Sequence, residues 1–420
     1  MKVTIIAPGS RGDVQPYVAL GKGLKNAGHT VGILASQDFQ SLITEHGLQF
    51  FDMGGDMQSI AKNMQSLLEQ GNFLKILSSM GAAAKLQAGQ AAVSGLAACQ
   101  GTDLILAGLG GLFVGLALSE KLGIPLIQAY YIPLTPTREF PNALAPLPPG
   151  HLPAGVNRLS HRIVQQMMWQ NYRAADNLAR RQVLKMAPAP FWGPFASLQQ
   201  QKLPILYGYS PQVIPSPKDW GDFIHVTGYW FLDSPSGWEP PIDLVNFLQS
   251  GPPPVYIGFG SMVNSRPGET TDLVLQALAR TGQRGVLSAG WGGLKKAALP
   301  ETVCMIDSIP FSWLFPQMAA VVHHGGAGTT SMGLRAGVPS IVIPFMGDQP
   351  FWGQRVVELG VGPKPIPLRR LTVDRLAEAM RSALSDTPMQ EKAARLGERI
   401  RAEAGITRAV EVIEKFMEPK

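Results

Sequence analysis

The sequence predicts an α/β protein of two doubly wound domains, each a parallel sheet with helices on both faces. Three observations carry this. The chain has 420 residues, beyond the size at which one hydrophobic core keeps growing. Short β-branched runs alternate with segments of helical periodicity in both halves, which is the rhythm of a parallel sheet with crossover helices. A proline-punctuated stretch from about Ser210 to Pro254 separates the two sets of units.

The first set opens with an apolar strand, Val3–Ala7, and a loop, Pro8–Asp13. A helix follows in which Tyr17, Leu20, Leu24 and Ala27 recur at helical spacing. Gly28 closes it, as a C-terminal glycine does, and Thr30–Ala35 is the next strand. The rhythm recurs at Asp103–Ala107 and Pro125–Ala129. The apolar stretch Leu104–Leu118 is glycine-rich and too short for a membrane span. It reads as a strand, a glycine turn and the start of a helix. Thr135–Gly155 is crowded with proline and glycine and reads as a loop, suited either to edging a cleft or to a plain surface excursion. A helix carrying Met167, Met168, Trp169 and Tyr172 follows.

The second set restarts at Val255–Phe259, ending in Gly260 and Ser261. A helix with Leu273, Ala277, Leu278 and Thr281 on one face comes next, then strands at Gly285–Ala289, Val303–Ile306, Ala320–His323 and Ser340–Pro344. In the last helix, Ile406, Ala409, Val410, Ile413 and Met417 form one stripe, so it packs against something. The expected layout is a domain over 1–215, a linker over 216–250, a second domain over 251–400, and a C-terminal helix over 401–420 packing back. Open α/β sheets bind ligands beyond the carboxyl ends of their strands. Two Rossmann-like domains facing across a cleft would therefore share one site, lined by the loops that follow strands.

Composition narrows the function. At 45% hydrophobic and 16% charged, the chain is an ordinary globular protein. Two distant cysteines, Cys99 and Cys304, supply neither a disulfide framework nor a thiolate zinc site, which suits a reducing cytoplasm. Net charge is +6 and the pI about 9.3. No basic run of five and no basic–aromatic interleaving accompanies that charge, so nucleic acid is not expected as a partner. The basic balance reads as a plain surface or as attraction to an anionic membrane face. The N-terminus has no signal-peptide core and no transmembrane segment is expected, leaving a cytoplasmic protein with room for peripheral membrane contact.

The richest segment is Val321 to Ser331, where a β-branched strand ends in His323-His324-Gly325-Gly326-Ala327-Gly328-Thr329-Thr330 and a helix starts near Thr329. Glycines let backbone approach an anion, and N–H groups at a helix start point at it. Thr329 and Thr330 cap or donate, and a histidine at the mouth adds a donor. A tight turn with capping threonines is the plainer reading. No Walker lysine is present and no Asp-X-Asp, so a metal-bridged diphosphate is not expected. Asp348 and Gln349 follow the next strand. They suit sugar hydroxyls, or Asp348 is simply the N-cap of a helix from Phe351.

With these segments in hand, the chain resembles the nucleotide-sugar glycosyltransferases of the GT-B fold, and most nearly the sterol glucosyltransferases and bacterial natural-product glycosyltransferases. The resemblance runs over nearly the whole chain. It is carried by Gly9-Ser10-Arg11-Gly12-Asp13-Val14-Gln15-Pro16, Thr227-Gly228-Tyr229-Trp230, Gly258-Phe259-Gly260-Ser261, His323 to Thr330, and Gly337-Val338-Pro339 through Asp348-Gln349. It implies that His324, Gly326, Gly328, Thr329 and Thr330 hold a diphosphate and that Ser261 touches phosphate or sugar. Asp348 and Gln349 would read the sugar, Ser308 and Ile309 would lie at the base, and Trp291 would border the nucleoside. Many relatives carry a histidine after the first strand as the base, whereas here Asp13 stands in that loop, as in the sterol and antibiotic enzymes. The residues alone also allow Asp13 to be a helix cap.

The implied reaction is an inverting, metal-independent transfer of a hexose from a UDP-sugar, with no cofactor. Asp13 takes the proton of an acceptor hydroxyl. The acceptor is lipophilic, such as a sterol, or a polyketide, flavonoid or peptide aglycone. Arg11, Phe113, Tyr130 and Trp169 are the acceptor-side candidates, with Tyr131, Met53, Met57, Met64, Phe73, Leu74, Met80, Met167 and Met168 as further apolar walls. A nucleotide-sugar epimerase and a noncatalytic binding protein are the rivals from other classes.

Overall fold

The computed structural model describes residues 1–54, 73–145, 152–234, 237–260, 267–289 and 299–418. These form two compact units, one from 1–54, 73–145, 152–232 and 404–418, the other from the described residues of 233–403.

In the first unit the principal elements are β1 (Lys2–Ile6), α1 (Arg11–Asn26), β2 (Thr30–Ala35), β3 (Gln49–Asp52), α2 (Phe73–Ala98), β4 (Leu104–Ala107), α3 (Leu112–Leu122), β5 (Leu126–Tyr130), α4 (Ala154–Ala179), β6 (Ile205–Tyr207) and β7 (Ile224–Val226). The sheet order is β3-β2-β1-β4-β5-β6-β7, and each neighbouring pair is parallel. A parallel strand is covered on both faces and so reads as unbroken apolar sequence. Alternation still decides which face each side chain serves. Val3 and Ile5 join Val14, Leu20 and Leu24 of α1, while Ile6 joins Leu112 and Ala117 of α3 and Trp169 of α4.

The second unit contains α5 (Ile242–Gln249), β8 (Val255–Gly258), α6 (Pro267–Thr281), β9 (Gly285–Ser288), β10 (Val303–Ile306), β11 (Ala320–His323), α7 (Ala327–Ala336), β12 (Ser340–Val342), α8 (Gln349–Glu358), α9 (Val373–Ser385) and α10 (Thr387–Arg401). Its parallel sheet runs β10-β9-β8-β11-β12. Val255 and Ile257 face Val274, Leu278, Leu376 and Met380, while Tyr256 faces Leu244 and Phe315 on the other side.

The chain then returns to the first unit as α11 (Gly405–Met417). Ala409, Val410 and Ile413, three of the stripe read from sequence, are buried there with Leu20 and Leu24. Gly23 of α1 makes room for this, since a Cβ would lie 2.2 Å from Ile406 Cγ2. His29 Nε2 pairs with Glu414 Oε1 at 3.0 Å beside that seam.

The segment 216–250, expected as a linker, is more than a linker. It carries β7 in the first sheet and α5 in the second unit, and the units divide between Leu232 and Asp233. A three-residue strand has too little length to show periodicity among the prolines that flank it. The same brevity hides β3 and β6. The apolar content of α2 is spread round the helix, which masks its period.

Candidate active site

Each sheet has one place where strand order reverses direction. In the first it lies between β1 and β4, in the second between β8 and β11. Loops leaving such strands at their carboxyl ends diverge and open a ligand crevice. Both motifs singled out in the sequence occupy these positions, Asp13 after β1 and His324 after β11.

Asp13 sits in the first turn of α1, whose N-cap is Ser10. Its Oδ2 accepts from the Ser10 backbone N–H at 2.6 Å and from the Ser10 hydroxyl at 2.8 Å. The Tyr131 hydroxyl donates to its other oxygen, Oδ1. The side chain therefore caps the helix through one oxygen and presents the other beside a phenol. Gly9 is required for this approach: its φ is +140°, and a Cβ would lie 2.5 Å from Asp13 Oδ2. Tyr17 is buried behind Tyr131, their rings edge to face at 6.2 Å, with its hydroxyl donating to the Ala129 carbonyl at 2.6 Å. Burial, and then the nearby Asp13 charge, push the Tyr17 phenol well above its ordinary pKa. The same two causes raise Tyr172. Arg11 points along the helix, its Nε donating to Gln15 Oε1 at 3.1 Å.

In the second unit β11 ends at His323, and α7 begins at Ala327 behind a Gly326 N-cap. The helix thus starts two residues before Thr329. The imidazole of His324 is flanked by two glycines. A Cβ on Gly326 would meet its Nε2 at 2.4 Å, and one on Gly260 its Cε1 at 3.0 Å. His323 is fully buried and accepts the Gly325 N–H through Nδ1 at 3.0 Å, which places its own proton on Nε2. Burial lowers the pKa of His324 to about 4; burial and then the neighbouring His324 lower that of His323 to about 3. Both rings are neutral near pH 7, and neutral imidazole still offers one N–H. Among the described residues His324 Nδ1 and Thr330 Oγ1 are buried without a hydrogen-bond partner. Buried polar atoms are normally satisfied. Both stand beside a helix N-terminus, where an anionic ligand would satisfy them.

Asp348 is the N-cap residue of α8, which starts at Gln349 rather than Phe351. Its side chain does not cap backbone; Oδ2 takes the Trp352 indole N–H at 2.7 Å. Gln349 is buried and its Oε1 accepts from Phe345 N at 2.7 Å and Met346 N at 3.1 Å. The pair thus shapes the loop after β12. Ser308 is exposed and Ile309 partly buried in the turn between β10 and Phe311. Ser261, Trp291, Met57 and Met64 lie outside the described residues, and the side chains of Phe73 and Leu74 do so too.

Three acceptor-side candidates are core residues. Trp169, Tyr130 and Phe113 are 2%, 4% and 6% exposed. Phe113 packs against Trp169, Tyr172 and Phe195, and Tyr130 turns to Tyr207 and bonds Gln128. The residue at Asp13 is the neighbour, Tyr131. Successive side chains at a strand end point to opposite faces, so one position in register separates a core tyrosine from a site tyrosine. Composition could not distinguish them.

Among the described residues there is no group of three or more His, Cys, Asp or Glu able to hold a metal, and no helix long and apolar enough to cross a membrane.

Comparison with known proteins gives the family and the fold. Residues 3–141 match the glycosyltransferase family 28 N-terminal domain, and residues 275–418 match the C-terminal domain of the erythromycin biosynthesis protein CIII-like family. The sterol 3-beta-glucosyltransferase UGT80B1 of Arabidopsis thaliana is 36% identical over 100% of this chain and 69% of its own length. The sterol 3-beta-glucosyltransferase UGT80A2 of the same plant is 37% identical over 99% of this chain and 66% of its own. A Cryptococcus neoformans sterol 3-beta-glucosyltransferase is 39% identical over 100% of this chain, which spans only 27% of it. Two solved structures share the fold: the kitacinnamycin glycotransferase (TM-score 0.73, 20% identity, 99% of both chains) and the calicheamicin glycosyltransferase CalG4 (TM-score 0.69, 18% identity, 99% of both). The chain belongs to the UDP-glycosyltransferase superfamily of GT-B glycosyltransferases, in the family that includes the sterol 3-beta-glucosyltransferases.

Proposed function

We propose that the chain transfers glucose from UDP-glucose to a hydroxyl of a sterol or similar lipophilic alcohol, with inversion at the anomeric carbon and without a metal. The observation that carries this is Asp13, a carboxylate fixed through Oδ2 on Ser10 with Oδ1 beside the Tyr131 hydroxyl. In the proposed step Asp13 takes the proton of the acceptor hydroxyl while that oxygen attacks the anomeric carbon. The bond to the diphosphate breaks, and an α-linked donor gives a β-glycoside. Charge on the departing UDP is met by the N-terminus of α7, His324 and the threonine hydroxyls. That arrangement supports metal-free departure. Asp348 and Gln349 supply the sugar-facing loop, and Ser261, Ser308, Ile309 and Trp291 complete donor recognition. On the acceptor side the proposal keeps Arg11 and Tyr131; Phe113, Tyr130 and Trp169 support the wall from behind.

The test is mass spectrometry of reactions with UDP-glucose and a panel of sterols, flavonoids, macrolides and peptide aglycones, with free UDP measured in parallel. A product heavier by one hexose, equimolar with UDP, is the expected result with a sterol. A glycoside of another aglycone instead would move the substrate to natural products. Sugar isomerisation without acceptor would favour an epimerase. No turnover with any nucleotide sugar would leave a binding protein and sink the proposal.

A further inference from the structure

The charge of this chain is not evenly spread. In α2, α4 and the helical turn Arg180–Leu184 that continues α4, seven basic residues stand against one acid, Asp176. That surplus equals the whole-chain net charge of +6, so the rest of the molecule is neutral in sum. Asp176 does not offset it at the surface, because it is buried and bound to Arg180 at 2.9 Å. Lys85, Arg162, Arg181 and, just beyond, Lys185 are exposed.

The same helices expose apolar side chains. Leu86 and Val93 on α2 are 88% and 52% exposed; Leu159 and Ile163 on α4 are 54% and 48%. The spacing of Val156, Leu159, Ile163, Gln170 and Ala174 places them on one face of α4. The two helices lie against each other, and a groove of about 560 Å³ between them is lined by Ala82, Lys85, Leu86, Gly89, Leu178 and Gln182. A turn bearing Phe191 and Trp192 is fastened to α4, since the Phe191 carbonyl accepts from Trp169 Nε1 at 2.9 Å and Gln170 Nε2 at 2.7 Å. Trp192 is nonetheless 74% exposed. The exposed Glu120 of α3 reaches only the buried Arg180, at 2.7 Å, and α2 and α4 carry no exposed carboxylate of their own. A rigidly held indole in solvent, exposed aliphatic side chains and exposed cations match the demands of a lipid headgroup boundary. A protein partner of ordinary surface would offer mixed charge and need carboxylates in return.

We propose that the exposed face of α2 and α4, with the Phe191–Trp192 turn, docks the protein on a bilayer containing anionic phospholipid. Leu86, Leu159, Ile163 and Trp192 enter the boundary region, and Lys85, Arg162, Arg181 and Lys185 meet phosphate and carboxylate headgroups. Such docking would bring the first unit to where a lipophilic acceptor resides. It rests on the acceptor reading only for that purpose, because binding is measured without donor or acceptor.

The experiment is vesicle flotation of the full chain with phosphatidylcholine alone and with about one third phosphatidylserine, at low and raised salt. The wild type should float with the anionic vesicles only and release as salt screens the charge. Each basic residue contributes about a fivefold factor at such a surface, so Lys85→Gln with Arg181→Gln should weaken partition about 25-fold. Leu86→Glu with Ile163→Glu should weaken it at least as much. Both pairs should keep the wild-type thermal melt and the wild-type rate on detergent-dispersed acceptor. The proposal is overturned if the wild type ignores anionic vesicles, or if folded variants float as it does. A concentration-dependent dimer dispersed by Leu86→Glu, without flotation, would assign the face to a second copy instead.

Discussion

After β1 the chain enters α1 with Ser10 at the N-cap and Asp13 in the first turn. After β11 it enters α7 with Gly326 at the N-cap and no acidic residue in the first turn. Both turns stand at the switch point of a parallel sheet, and each helix presents the positive end of its dipole there. The first turn satisfies that end with its own carboxylate, which is thereby held in one place. The second supplies no carboxylate of its own, and His324 Nδ1 and Thr330 Oγ1 are unpartnered there among the described residues. In the proposed function, one backbone device thus serves a fixed base in one unit and an anion site in the other. What separates them is a side chain in the first turn.

The sharpest way to break this comparison is at the carboxylate. Asp13→Asn keeps an acceptor for the Ser10 N–H but cannot take a proton. Turnover should fall by about 10²–10⁴-fold, with UDP affinity by calorimetry within about twofold of wild type, a range set by the same separation of roles. Turnover near wild type would remove Asp13 as the base. In the second turn, Gly326→Ala sets a methyl 2.4 Å from the His324 Nε2 position and must displace the ring. UDP affinity should drop at least about tenfold, the scale of one lost hydrogen bond to a charged group; unchanged affinity would deny the loop its role. Tyr131→Phe tests the support of the base. Loss of its hydroxyl should lower kcat about tenfold while leaving UDP binding alone, and a loss confined to donor affinity would contradict the placement.

The smallest effect concerns stability. His323 and His324 have folded pKa values of about 3 and about 4, against an ordinary 6.5. Both are depressed, so the unfolded chain binds more protons between those values and 6.5. The stability they contribute is present above pH 6.5 and is lost as pH falls through that window. The urea midpoint should decline from pH 6.5 towards pH 4, and His323→Asn, which retains an acceptor for the Gly325 N–H, should flatten the decline. A wild-type midpoint that does not change over that range would contradict the burial argument.

Much of this was legible in the chain. Strands such as Thr30–Ala35 and Val303–Ile306 fall where β-branched runs predicted them, because a parallel strand covered on both faces has few alternatives to apolar sequence. The glycine loop after Ala320–His323 was readable for the same kind of reason: the close approach of its backbone to the His324 ring excludes a Cβ atom at Gly326. Tyr130 and Tyr131 were not separable. They have the same chemistry, and only the register of β5 sends one into the core and the other to Asp13. The boundary between the units escaped too, since β7 is three residues long and the prolines on either side of it resemble those of a linker.

The amino-acid order by itself determined two βα-repeats, a glycine-rich turn before a helix and a carboxylate after the first strand, since local backbone and burial rules act over a few residues. The tertiary structure alone decided which side chains meet. It set Tyr131 rather than Tyr130 on Asp13, His324 against Gly260, and the cations of α2 and α4 on helices that pack side by side. Those contacts join residues far apart in the chain, and the packing of whole elements, which no local pattern encodes, brings them together.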